Sequence, residues 1–82
     1  MKPLTDADIA RSSHAIAEDG PAAHEDAVAA VAQLALAAGA PSGVLEALTD
    51  HTLPGVVRAR AWAHAVAAIR RCRSGAEVGL AA

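Results

Sequence analysis

The residues that could do chemistry are few and scattered along the chain. His14 and Glu18 stand four apart, a spacing that brings both to one side of a helix and can hold a metal ion. His24, Glu25 and Asp26 are neighbours, while His51 and His64 lie elsewhere. Neither an HExxH run nor a pair of cysteines accompanies them. Histidines on polar faces are ordinarily solvated, so no metal and no cofactor are expected. Cys72 is the single cysteine, with Arg70, Arg71 and Arg73 around it to favour the nucleophilic thiolate. The last turn of a helix opposes that shift, because its dipole end is negative. Its place on an apolar arc predicts that Cys72 is a buried small hydrophobe. Ser12 and Ser13 have no glycine elbow around them. The stretch GAPSG at 39–43 precedes a helix but lacks the lysine and the preceding strand of a phosphate-binding loop. No acid, base and nucleophile converge, so no catalytic residue is assigned and the chain reads as a non-enzyme.

Charge is the other possible source of function. Residues 1–50 hold two basic and eight acidic side chains, whereas residues 51–82 hold five arginines and one glutamate. The split could meet an acidic partner; equally, the halves could attract each other or follow the helix dipoles. Arg58, Arg60, Arg70, Arg71 and Arg73 lie on or near one helix, which keeps a small helix-turn-helix-like DNA-binding regulator as the alternative reading. A net charge of −2, a pI near 6.0 and a single aromatic argue against nucleic acid.

Four helices must position these groups. The capping pattern Thr5-x-x-Asp8 opens the first, over 5–18, with Ile9, Ser13 and Ile16 on one face. Gly20-Pro21 ends it, and a second helix follows over 21–38, with Val28, Val31, Leu34 and Ala35 as its buried stripe and a nearly apolar reverse side. Gly39 and Pro41 stop that helix. A short third, over 42–51, takes Ser42 as N-cap and Val44, Leu45 and Leu48 as its apolar face. The fourth and longest covers 54–73, and Gly75 is its stop signal. Residues 1–75 are expected to be a single helical domain and 76–82 a flexible C-terminal tail. Short connections favour antiparallel neighbours, so the expected fold is all-α, a small bundle of four antiparallel helices.

The third and fourth helices carry a resemblance. Leu45, Leu48, Asp50, Pro54, Val57, Arg58, Ala61 and Ala65 resemble the pattern of a HEAT repeat, over residues 42–69. The resemblance implies a hairpin of two helices in which Asp50 and Arg58 tie the turn and help stack successive hairpins. Arg58 also points toward the apolar arc of its helix, so it needs an acidic or carbonyl partner. An earlier copy is conceivable, because Pro21 and Pro54 stand 33 residues apart. No Val-Arg opens the second helix, where His24, Glu25 and Asp26 stand instead. Two stacked hairpins and an ordinary bundle therefore both remain open.

Composition points to company. Of the 82 residues 24 are alanine, and Trp62 is the only aromatic. The larger apolar side chains are too few for a generous core, so oligomerisation or a partner would supply missing burial. The chain is expected to be a small non-catalytic interaction module, either a homo-oligomer or an accessory subunit of a larger complex. Arg60, His64 and Arg71 form the exposed stripe facing an acidic surface, and Trp62, Val66 and Ile69 are anchors of core or interface. No apolar run spans a bilayer and the lone cysteine suits a reducing compartment, so a cytoplasmic location and no membrane contact are expected.

Overall fold

Thr5 is short, polar and followed three residues later by a carboxylate, and it starts the first helix accordingly. Its hydroxyl accepts the Asp8 amide at 3.1 Å, and the Asp8 carboxylate accepts the Thr5 amide at 3.0 Å. The computed structural model describes residues 4–81 and the side chains of residues 4–74. Helix α1 covers Asp6–Asp19 and buries Ile9 and Ile16. Thr5→Ala is expected to cost about 1 kcal/mol in a urea melt, the usual value of such a cap. A loss below a few tenths would mean the reciprocal bonds are not formed in solution.

Gly20 ends α1 with φ 87°, a left-handed backbone that a side chain would strain. The next segment differs from the single helix expected from residue 21. A tight 3-10 turn occupies Pro21–His24, and α2 covers Glu25–Ala37. His24, with φ −135° and ψ 48°, breaks the helical run between them. The end of α2 follows its sequence signal. Gly39 takes φ 84°, its amide donates to Leu36 O at 3.1 Å, and the Ala40 amide donates to Ala35 O at 2.9 Å. These are the paired bonds of a Schellman ending.

Helix α3 covers Ser42–Thr49. Pro41, rather than Ser42, holds the N-cap position, and its carbonyl accepts the Val44 and Leu45 amides. The helix stops two residues earlier than expected because Asp50 turns extended and its carboxylate accepts both the Thr52 amide, at 2.9 Å, and the Thr52 hydroxyl, at 2.6 Å. Helix α4 covers Gly55–Ala81. The stop expected at Gly75 does not operate, and the segment expected to be a flexible tail is helical as far as Ala81; Ala82 lies outside the described residues. A glycine inside a helix costs only about 1 kcal/mol relative to alanine, and without a following proline it need not end the run.

These helices make a small all-α bundle, with no strand among the described residues. Helix α4 runs through it and packs against α1, α2 and α3. Its Ala61, Trp62, Ala65, Val66, Ala68 and Ile69 are buried, and the core is completed chiefly by Ile9, Ile16, Val28, Val31, Ala35 and Leu48. Many of these contacts are made by alanines, which let helix axes approach closely. Among the described residues every buried side-chain nitrogen and oxygen has a partner, and no helix is long and apolar enough to cross a membrane.

Candidate functional site

Arg58 lies one turn into α4 and only 2% of it is exposed. Its Nε donates to the Leu48 carbonyl at 3.1 Å, and Nη1 and Nη2 donate to the two carboxylate oxygens of Glu25 at 2.9 and 2.7 Å. The planar guanidinium fork matches the carboxylate geometry, so one side chain clasps the start of α2, the end of α3 and the first turns of α4. The hydrogen bonds from Arg58 hold the Glu25 carboxyl below its ordinary range against the opposing effect of burial, and the charges of Arg58 and His51 add to this. His51 Nδ1 lies 3.6 Å from Glu25 Oε2. The same bonds push the Arg58 guanidinium upward.

The expected pair of Asp50 and Arg58 is therefore not a hydrogen-bonded pair. Asp50 spends its carboxylate on Thr52, whose hydroxyl and amide hold its pKa down. Arg58 finds the acidic and carbonyl partners its position demands, but in Glu25 and Leu48. Sequence reasoning noted Glu25 only beside the histidines. A signal was present: a 33-residue offset sets Glu25 against Arg58, and those two residues bind each other.

Trp62 is 4% exposed, and its indole N–H donates to the Ser13 hydroxyl at 2.9 Å. Val66 and Ile69 are also buried. All three residues expected to be anchors of core or interface are core, and none is free to enter a partner. The reason is local: α1 brings Ile16 and Ser13 over the same arc of α4, and Ser13 satisfies the one polar atom of the indole. Cys72 corrects its expectation in the other direction, since it is exposed. It lies one turn beyond Ala68 and Ile69, past the part of α4 buried by its neighbours.

Arg60, His64 and Arg71 are exposed together on α4, as their spacing predicts. Ala63 and Ala67 share that side at helical intervals. Between this side and α1 runs an open groove of about 610 Å³, bounded by Ser13, Ile16 and Ala17 from α1 and by Ala59, Trp62, Ala63, Val66, Ala67, Arg70 and Arg71 from α4. Arg60, Arg70 and Arg71 have no carboxylate within 4 Å among the described residues, whereas Arg11 pairs with Asp8 and Arg73 with Asp6. A second, shallower groove of about 340 Å³ lies between α2 and α3, bounded by Ala29, Ala32, Gln33, Leu36, Leu45, Glu46 and Thr49. Leu36 is 65% exposed there.

The remaining histidines face single carboxylates. His14 Nε2 is 3.1 Å from Glu18, and His24 Nε2 is 2.8 Å from Asp19. No group of three histidine, cysteine or acidic side chains comes together in a metal-binding arrangement among the described residues. The surface thus carries an apolar trough edged by guanidinium groups that have no carboxylate partner among the described residues. Comparisons with protein-family models, with curated proteins and with solved structures return no match to this chain, so geometry carries the functional reading.

Proposed function

We propose that the chain is a small non-catalytic protein–protein interaction module, acting as a homo-oligomer or as an accessory subunit of a larger complex. The observation that supports this most is the groove between α1 and α4, apolar along its length and edged by Arg70 and Arg71. An amphipathic surface entering it would bury its apolar side on Ala59, Ala63 and Ala67 and offer carboxylates to the arginines. Arg60, His64 and Arg71 keep the partner-facing role the sequence suggests. Trp62 and Val66 contribute from beneath, as the floor of the groove. A cytoplasmic setting fits a chain with one free thiol.

The test is a photo-crosslinking residue placed at Ala63 or Ala67, with the exposed Ala22 as the control position. Crosslinked protein is expected from the two groove positions, little from Ala22, and none after R70E/R71E. Both arginines are exposed and have no carboxylate partner among the described residues, so the charge reversal leaves the core untouched. Equal crosslinking from Ala22 and Ala63 would remove the reading. The DNA-binding alternative draws on the same unpaired arginines along α4. A steeply salt-dependent shift of duplex DNA, lost in R70E/R71E, would favour it instead.

A further inference from the structure

The two grooves are electrostatic opposites. The α1/α4 groove ends on Arg70 and Arg71, with Arg60 about three turns earlier on the exposed face, and none of the three has a carboxylate partner among the described residues. The α2/α3 groove carries Glu46 on its edge. Asp26 stands on the same side of α2 as Ala29, Gln33 and Leu36, at intervals of three, seven and ten residues. Asp26 and Glu46 are exposed and make no ion pair among the described residues, although most of the other described carboxylates do. Unsatisfied cations and unsatisfied anions thus sit on separate faces, each beside an apolar trough. Leu36, exposed beside Glu46 on the same groove, is a bulky apolar side chain of a size that suits the alanine-lined groove of the opposite charge.

We infer that the α1/α4 groove receives the α2/α3 face of a second copy of this chain. The inference rests on the interaction reading above and names the occupant. No residue bounds both grooves, so the contact joins two different patches, and in a head-to-tail pair one copy keeps its groove and the other its face unfilled. Such contacts propagate head to tail, closing into a ring or continuing as a filament according to the rotation between copies. Both troughs are small beside the roughly 800 Å² per partner of a standard interface. Association is therefore concentration-dependent and weakened by salt, which screens exposed charges.

Sedimentation of the full chain at low salt tests this with two variants. R70E/R71E disables the groove, and D26R/E46R disables the face. The wild type is expected to gain mass steadily with concentration and to lose that gain at high salt. Each variant alone is expected to remain monomeric. An equal mixture is expected to regain the mass gain, because the native groove of one variant meets the native face of the other and the reversed charges of groove and face complement each other as well. A wild type that stays monomeric, a variant that assembles like the wild type, or a mixture that stays monomeric overturns the assignment. If the wild type is monomeric while Ala63 still crosslinks to a different protein, the second copy is the wrong occupant and the interaction reading stands. If Ala63 crosslinks to nothing as well, both fail.

Discussion

Arg58→Met is expected to lower the unfolding free energy by about 1.5–3 kcal/mol, the range for hydrogen bonds to a charged group and less than for a fully buried pair, because Glu25 keeps a third of its side chain exposed. A domain of this size has roughly 5–15 kcal/mol in total, so much of the population would unfold in mild urea. Methionine keeps the length and most of the apolar stem, so the loss isolates the three hydrogen bonds. Arg58→Lys retains the charge but not the fork, and is expected to fall between. Urea melts followed by Trp62 fluorescence measure both. A penalty under about 1 kcal/mol for Arg58→Met would show that the clasp contributes no more than an exposed pair. Pairing Arg58→Met with Glu25→Leu should recover part of the loss, because no uncompensated carboxylate then remains.

The same clasp fixes the direction of the acid response. The Glu25 and Asp50 carboxyls are held below their ordinary values in the folded chain. The unfolded chain therefore binds protons first as pH falls. Stability is fully present above the ordinary carboxylate range and is lost as pH drops through the lowered folded values. Glu25→Gln is expected to flatten that acid limb, with the melting temperature less dependent on pH below the ordinary glutamate pKa. An unchanged acid limb would transfer the effect to other carboxylates.

Trp62→Ala is the second large expectation, about 3–5 kcal/mol, from the loss of the largest buried side chain together with the cavity it leaves. Ser13 would also lose its indole partner. Trp62→Phe keeps most of the ring volume and forfeits the hydrogen bond, so about 1 kcal/mol is expected. Circular dichroism melts are the measurement, since the fluorophore is gone. If Trp62→Phe and Ser13→Ala show no coupling in a double-mutant cycle, the 2.9 Å bond contributes nothing to stability.

Local rules made much of the fold legible. Thr5 with Asp8, Gly20, Gly39 and Pro41 announce helix ends through backbone chemistry that acts within a few residues, and each acts where it stands. The boundaries that shifted did so through neighbours. Asp50 ended α3 early by capturing Thr52, and His24 interrupted what Pro21 had begun. Arg58 was legible as a residue in need of a partner, but that partner lies 33 residues away. Only packing of α2 on α4 brings it near. Trp62, Val66 and Ile69 carried no mark distinguishing a core anchor from an interface anchor. That distinction depends on whether α1 covers them, and the weak stripe of Ile9, Ser13 and Ile16 gave little sign that it would. The exposed face of Arg60, His64 and Arg71 was the most readable part of the surface, because helical periodicity alone groups those residues.

Among the described residues, four of the twelve buried hydrophobic ones contribute only a single methyl group. Ala35 and Ala65 are fully enclosed, and Ala61 and Ala68 nearly so. Where backbones sit this near each other, a bulkier substituent has nowhere to go without prying helices apart, at about 1–3 kcal/mol for each insertion. Sequence drift therefore has little latitude at those four sites and much along the solvent-facing flanks. A lineage carrying this architecture can change its surface outside the two grooves, while those four interior sites stay confined to the smallest residues.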